Sequence, residues 1–200
     1  VILCMGAHAR SLGIPREDEL VGAGISYCAT CDGAFFKEKA VAVVGGGDTA
    51  ISDALYLSRF CTSVTVVHRR DEFRAAAVLV EKAKTVPNIH FATSCIPLNL
   101  IGEKCVEGLE IMDLKTSVPR VLPVSGVFVA VGITPQSQLV KGVVEMNEGG
   151  SILTNELMKT NIPGVYAAGD IRNTPLKQVI TACADGAVAA TSALEFISCH

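Results

Sequence analysis

Ala40-Val41-Ala42-Val43-Val44-Gly45-Gly46-Gly47-Asp48-Thr49-Ala50 is the stretch that decides the fold. Its first five residues are small or β-branched and apolar, the signature of a strand buried on both faces. Three glycines then break the strand. From Asp48 to Phe60 the apolar residues fall at helical spacing, at Ala50, Ile51, Ala54, Leu55 and Leu57. Residues 63–68, Ser-Val-Thr-Val-Val-His, read as a second strand. Strand, glycine turn, helix and strand make a βαβ unit, so the fold class is α/β.

Gly45, Gly47 and Ala50 fit the spacing G-x-G-x-x-A. The first glycine permits the tight turn, the second lets backbone approach a pyrophosphate, and the small third residue packs helix against strand. The helix N-terminus offers free N–H groups and a positive dipole end. The run Gly45, Gly46, Gly47, Asp48, Thr49 and Ala50 is therefore the expected cofactor-binding turn of a Rossmann-like, three-layer domain. The end of the second strand separates two cofactors. An NAD site places Asp or Glu there for the ribose 2′-hydroxyl. This chain has His68, Arg69 and Arg70, with Arg74 four residues on. Guanidinium forks suit a 2′-phosphate, so the expected cofactor is NADPH. If a helix starts nearby, Arg70 and Arg74 share a face of it.

Outward from this unit, a helix is expected over 71–84 and strands over 88–92, 106–114 and 120–131. Gly132-Ile133-Thr134-Pro135 marks a boundary. Beyond it, 164–168 reads as a strand ending in Gly169-Asp170, and 178–197 as an Ala-rich helix. Upstream, Val1-Ile2-Leu3 reads as a strand met in its middle, without an initiator Met. The sequence thus reads as the later part of a longer chain, in which 9–132 is inserted between 1–8 and 133–200. The chain has 200 residues, half of them hydrophobic, and a formal net charge of −3. No basic tract argues for nucleic acid or an anionic membrane. Every apolar run is interrupted before a membrane span is complete, so no transmembrane helix is expected. The apolar content suits a sheet covered by helices on both faces.

Eight cysteines are scattered, and only Cys28 and Cys31 are tightly spaced. That pattern fits a reducing, cytoplasmic setting with one special pair. Three chemistries use two cysteines at this spacing. A four-cysteine zinc site needs a second close pair, which is absent. A thioredoxin-type site belongs in a thioredoxin-like domain, whereas a dinucleotide-binding unit follows here. The third is a dithiol relay between a flavin and a protein disulfide, and Asp32 favours it, because a carboxylic acid can protonate a leaving thiolate. Cys4, Cys61, Cys95, Cys105, Cys183 and Cys199 show no pairing pattern, and His8, His90 and His200 no metal spacing.

Four runs in collinear order carry a family resemblance: Cys-Ala-Thr-Cys-Asp-Gly-Ala-Phe-Phe (28–36), Gly-Gly-Gly-Asp-Thr-Ala (45–50), His-Arg-Arg-Asp-Glu-Phe-Arg (68–74) and Val-Tyr-Ala-Ala-Gly-Asp (165–170). Together they resemble the low-molecular-weight thioredoxin reductases, from residue 1 to about 197. The resemblance implies a homodimeric flavoprotein whose FAD domain is interrupted by an NADPH domain carrying the dithiol. Hydride would pass from NADPH to FAD, and electrons through the dithiol to thioredoxin. Cys31 would face the flavin, Cys28 attack the substrate disulfide, and Asp32 act as general acid. Gly169 and Asp170 would meet the FAD ribityl chain, and Lys177, Gln178 and Val179 the flavin. Gly132, at the boundary, is also expected at the cofactor. The family usually has Arg where Lys177 stands, and Cys4-Met5-Gly6 departs from its usual Ala-Thr-Gly. Because nicotinamide and disulfide must reach one flavin in turn, the inserted domain is expected to rotate about crossings near 6–12 and 131–136. No glycine turn of the FAD type precedes Cys28, so NADPH binding is the nearer expectation for this chain. Two alternatives stand beside this reading: a reductase serving a peroxiredoxin-type partner, and an NADPH-binding fragment without full activity.

Overall fold

The computed structural model describes residues 1–199; His200, to which the sequence assigns no role, lies outside the described residues. The chain divides into two compact units, Arg10–Gly132 and a second unit made of Val1–Ala9 together with the chain from Ile133 onward. The second unit opens the chain with β1 (Ile2–Leu3) and β2 (Ala7–Ala9). Unit Arg10–Gly132 then contributes β3 (Ile25–Ser26), α1 (Ala29–Asp32), β4 (Ala40–Val44), α2 (Asp48–Leu57), β5 (Ser63–Val67) and α3 (Ala77–Lys84). It continues with β6 (Ile89–Ala92), β7 (Cys95–Ile101), β8 (Gly108–Asp113), β9 (Pro119–Leu122) and β10 (Gly126–Val129). The second unit resumes with β11 (Ile133–Pro135), β12 (Tyr166–Ala167) and α4 (Val179–Ser198).

In unit Arg10–Gly132, five parallel strands run in the order β3-β10-β4-β5-β6. Side chains alternate across a strand, and both sets from β4 are buried. Val41 and Val43 join Ala50, Ile51, Ala54 and Leu57 of α2 and Val80 and Ala83 of α3 in one core. Ala42 and Val44 join Leu100, Leu109, Ile111 and Leu122 in another. The second face is therefore covered by the antiparallel sheet β7-β8-β9, not by helices as expected. This makes three layers, and it explains the continuous apolar run at 40–44.

Other expectations are corrected in detail. The helix expected over 71–84 begins only at Ala77. The N–H groups of Arg74 and Ala75 both donate to the Gly46 carbonyl, at 2.8 and 3.2 Å, which holds that segment out of helical pairing. Arg70 and Arg74 therefore share no helical face. The single strand expected over 120–131 is two strands in different sheets, β9 and β10. Strand β7 was not expected, because Pro97 and Asn99 interrupt it; the register shifts between them, and β7 lies at a sheet edge where Pro is tolerated.

In the second unit, β1 and β12 pair in parallel, Ile2 with Tyr166 and Leu3 with Ala167. The chain leaves along β2 and returns along β11, and the two pair antiparallel. Gln178 and Thr181 form a reciprocal capping box that starts α4. Asp185, Ala189 and Ser192 are its buried positions, at i, i+4 and i+7. Its other faces leave Ile180, Leu194 and Ile197 exposed. By length and composition alone α4 is apolar enough to cross a membrane, with a mean hydropathy of 1.3. One such helix does not by itself make a membrane span, and Asp185 on its buried face is fixed within the fold by an ion pair described below.

Candidate active site

Cys28 and Cys31 are joined in a disulfide, with Cα atoms 5.3 Å apart. Strand β3 delivers the chain to this point, and the four-residue α1 spans the pair. Cys28 caps α1: its Sγ accepts from the Cys31 N–H at 3.2 Å and lies 3.3 Å from the Thr30 hydroxyl. Both contacts favour negative charge on that sulfur. Asp32 closes α1. Its Oδ2 accepts from the Ser26 hydroxyl at 2.7 Å, and the Ser26 oxygen in turn accepts from the Cys28 N–H at 3.1 Å. Ser26 is 4% exposed. It was not singled out by sequence reading, since a lone serine two residues before a cysteine carries no spacing signal.

A cleft of about 460 Å³ opens in the same unit, above the β4–α2 and β5 ends. Gly45, Gly46, His68, Arg69 and Arg74 line it. The other positions expected at the cofactor, Gly47, Asp48, Thr49, Ala50 and Arg70, lie on the same two segments but outside its lining. Gly46 is fixed by packing, because a Cβ there would lie 2.2 Å from the His68 ring. Gly45 has φ +154, and a Cβ there would lie 2.4 Å from the Ala130 carbonyl oxygen. At Gly47 a Cβ would meet nothing within 4 Å, so open space faces that backbone.

His68 is 6% exposed. Its ring stacks on Phe73 at 5.1 Å, and Nε2 lies 3.2 Å from the Glu72 carbonyl. Burial first, then the charges of Arg74, Arg69 and Arg70, push its pKa below the usual imidazole value. His68 thus supports the glycine turn as a neutral ring while lining the cleft. Asp71 ties the arginine segment elsewhere: it accepts from Ser94 Oγ at 2.5 Å and pairs with Lys115 at 2.6 Å.

Sequence reading missed the far wall of this cleft. Arg10, Ser11 and Leu12 line it, as do Cys95, Ile96 and Pro97 of β7. Buried Glu17 holds the first of these segments, accepting from the N–H groups of Leu12 and Gly13 at 2.8 and 2.9 Å. Gly132, with φ +118, packs against Arg10 and accepts its N–H through the carbonyl.

In the second unit, Gly169 takes φ +78 and donates its N–H to Asp185 at 3.1 Å. Asp185 also receives a bidentate pair from Arg172, at 2.6 and 2.8 Å. The Lys177 ammonium donates to the carbonyls of Asp170 and Arg172, at 2.5 and 3.3 Å. It therefore acts through backbone oxygens, as a point charge rather than a planar fork. Asp170 Oδ1 is buried with no partner among the described residues. A buried, unpaired carboxylate oxygen is costly unless a ligand donates to it. Gln178 is engaged in the capping box of α4, and Val179 is 82% exposed. Among the described residues no group of His, Cys, Asp and Glu is arranged to hold a metal ion.

Residues 1–186 match the family described as pyridine nucleotide-disulphide oxidoreductase. A thioredoxin reductase of Peptoclostridium acidaminophilum is 45% identical over 206 residues, covering 100% of this chain and 65% of that protein. A bifunctional thioredoxin reductase/thioredoxin of Mycobacterium leprae is 44% identical, covering 100% of this chain and 44% of that protein. The crystal structure of thioredoxin reductase from Streptococcus pyogenes matches with a TM-score of 0.93 and 38% identity, covering 100% of this chain and 65% of that chain. The chain thus spans just under two thirds of the length of the single-function relatives it matches. The disulfide-spanning turn, the glycine turn and the match over nearly the whole chain agree, and the chain belongs to the pyridine nucleotide-disulphide oxidoreductase family.

Proposed function

We propose that the protein is an NADPH-dependent thioredoxin-disulfide reductase, with Cys28 and Cys31 as its redox pair. The observation that carries this reading is the Cys28–Cys31 disulfide beside an Asp32 carboxylate held by Ser26, in the unit that also holds the arginine-lined cleft. Arg69 and Arg74 in the cleft, with Arg70 on the same segment, favour a 2′-phosphate, and hence NADPH over NADH.

The orphan oxygen of Asp170 fits FAD, which Gly169, Asp170, Lys177, Gln178 and Val179 would hold. When bound, FAD supplies two-electron exchange between a nicotinamide and a disulfide. The remaining chemistry belongs to the dithiol. Once the pair is reduced, the Cys31 N–H and the Thr30 hydroxyl stabilise a thiolate at Cys28. That thiolate attacks one sulfur of the thioredoxin disulfide, whose S–S bond breaks as the mixed disulfide forms. Cys31 then attacks Cys28 Sγ, which re-forms the Cys28–Cys31 bond and releases the reduced partner. Asp32 delivers a proton to the leaving sulfur while Ser26 holds its Oδ2. The other six cysteines are free, in keeping with a reducing, cytoplasmic setting. The exposed apolar side chains of α4 favour action as a homodimer.

The test is a titration of the purified chain, supplemented with FAD, by NADPH in the presence of oxidised thioredoxin. The expected result is bleaching of flavin absorption and loss of the thioredoxin disulfide. Cys28→Ser should slow that loss by on the order of a thousandfold. Thioredoxin reduction that persists in Cys28→Ser would overturn the assignment.

A further inference from the structure

We propose that Asp48 is a positioning residue, which ties the arginine-bearing segment 69–76 to the glycine turn and so sets the preference for a 2′-phosphate. The inference rests on the NADPH reading above. Asp48 stands in the first turn of α2, next to the backbone that would face the phosphates. There a free carboxylate repels an anionic ligand and should cost affinity. In this structure it is engaged: Oδ1 accepts from the Ala76 N–H at 2.7 Å, across 28 residues of chain. Ala76 is the N-cap of α3 and offers no side-chain acceptor to its own helix, as Gly47 offers none to α2. One carboxylate therefore joins the N-termini of two helices, where the backbone dipoles favour negative charge.

The consequence falls on Arg74. The first half of the segment is held from the sheet side, by the Ser94 N–H to the Arg70 carbonyl at 3.1 Å and by Asp71. The second half packs Phe73 against His68 and Phe91, and among the described residues its backbone N–H groups donate to the glycine turn and to Asp48. Arg74 and Ala75 donate to the Gly46 carbonyl, and Ala76 donates to Asp48. The Asp48 bond closes this set at the point where the segment becomes helix. Without it, the guanidinium of Arg74 is displayed from a looser backbone, and preorganisation for the phosphate is lost.

The test compares dissociation constants of NADP⁺ and NAD⁺ for the 200-residue chain by titration calorimetry. The ratio of the two cancels whatever both cofactors share. A bystander carboxylate and a tether predict opposite signs. Removing a bystander strengthens NADP⁺ binding, whereas removing a tether lowers the NADP⁺ preference. Asp48→Ala is expected to lower the preference about fivefold, the scale of one lost hydrogen bond. Asp48→Asn keeps the acceptor and should hold the preference within about twofold. Ala76→Pro deletes the donor from the other end, at a residue whose φ of −53 already suits proline. It should lower the preference at least as far as Asp48→Ala, because it also frees the carboxylate, and the double variant should lose no more than Ala76→Pro alone. A preference that survives Asp48→Ala, or losses that add in the double variant, would overturn the tether. A wild-type chain with no NADP⁺ preference would instead sink the cofactor reading, and the inference with it.

Discussion

Glu17 is 3% exposed, and both oxygens of its carboxylate accept hydrogen bonds. It takes two backbone N–H groups from the segment lining the cleft, and the Tyr27 hydroxyl at 2.9 Å. Burial, reinforced by Glu17, pushes the Tyr27 phenol from 10.0 up to about 12. The folded state therefore favours the protonated phenol. Its contribution is complete below pH 10.0 and is lost as pH rises toward about 12. Tyr27→Phe is expected to cost about 1 kcal/mol at pH 8, the usual worth of such a hydrogen bond. The difference from wild type should shrink as pH passes 10.0 and be gone by about pH 11. Urea unfolding at pH 8 and pH 11 measures this; a difference independent of pH would contradict it. Nothing in the spacing of Glu17 and Tyr27 marks them as partners. Only the fold brings the segment around Leu12 and the end of β3 to one carboxylate.

Among the elements, α4 was plain from its Ala-rich run, but its attachment was not. The helix is held through Asp185, which carries the Arg172 fork and the Gly169 N–H, with the two ion-pair side chains 14% and 10% exposed. The Arg172 hydrogen bonds hold the Asp185 carboxyl below its usual value of 3.8. That contribution is present above pH 3.8 and is lost as pH falls below it. Asp185→Ala leaves a nearly buried guanidinium without its partner and should destabilise the second unit by about 3–5 kcal/mol. Asp185→Asn should cost less, and its deficit against wild type should close in acid. Urea unfolding at pH 7 and pH 3 reads both; a deficit unchanged in acid would argue against the ion pair as the cause. The elements that sequence reading drew wrongly share one cause. Strand β7 contains Pro97, β9 and β10 are separated only by a short turn, and the start of α3 is delayed by bonds to Gly46. In each case pairing with a distant segment overrides local propensity.

At the scale of the whole molecule, the outer face of α4 carries large apolar side chains that the described residues leave exposed. Ile180 is 75% exposed, Leu194 65% and Ile197 71%. Exposed side chains of this size on one helix favour association. Sedimentation velocity is expected to show the chain heavier than its 21.0 kDa at micromolar concentration. Leu194→Glu with Ile197→Glu should return it to the monomer mass. A wild-type chain that stays monomeric throughout would refute association through α4.

The sequence alone determined what is written in local spacing: the βαβ unit around Gly45–Ala50, the tight pair Cys28 and Cys31, and the cluster Arg69, Arg70 and Arg74. Each needs only residue type and short separation, so each is legible before folding. The tertiary structure alone decided which groups those residues answer to. Ser26 holds Asp32, His68 fills the space beneath Gly46, Glu17 fixes a wall of the cleft, and Asp48 turns toward Ala76. These partners are joined by long chain separations or by shape, and no periodicity records them. The same reason explains the sheet that covers the second face of β4. An apolar run shows that a strand must be buried, but only packing decides whether helix or sheet buries it.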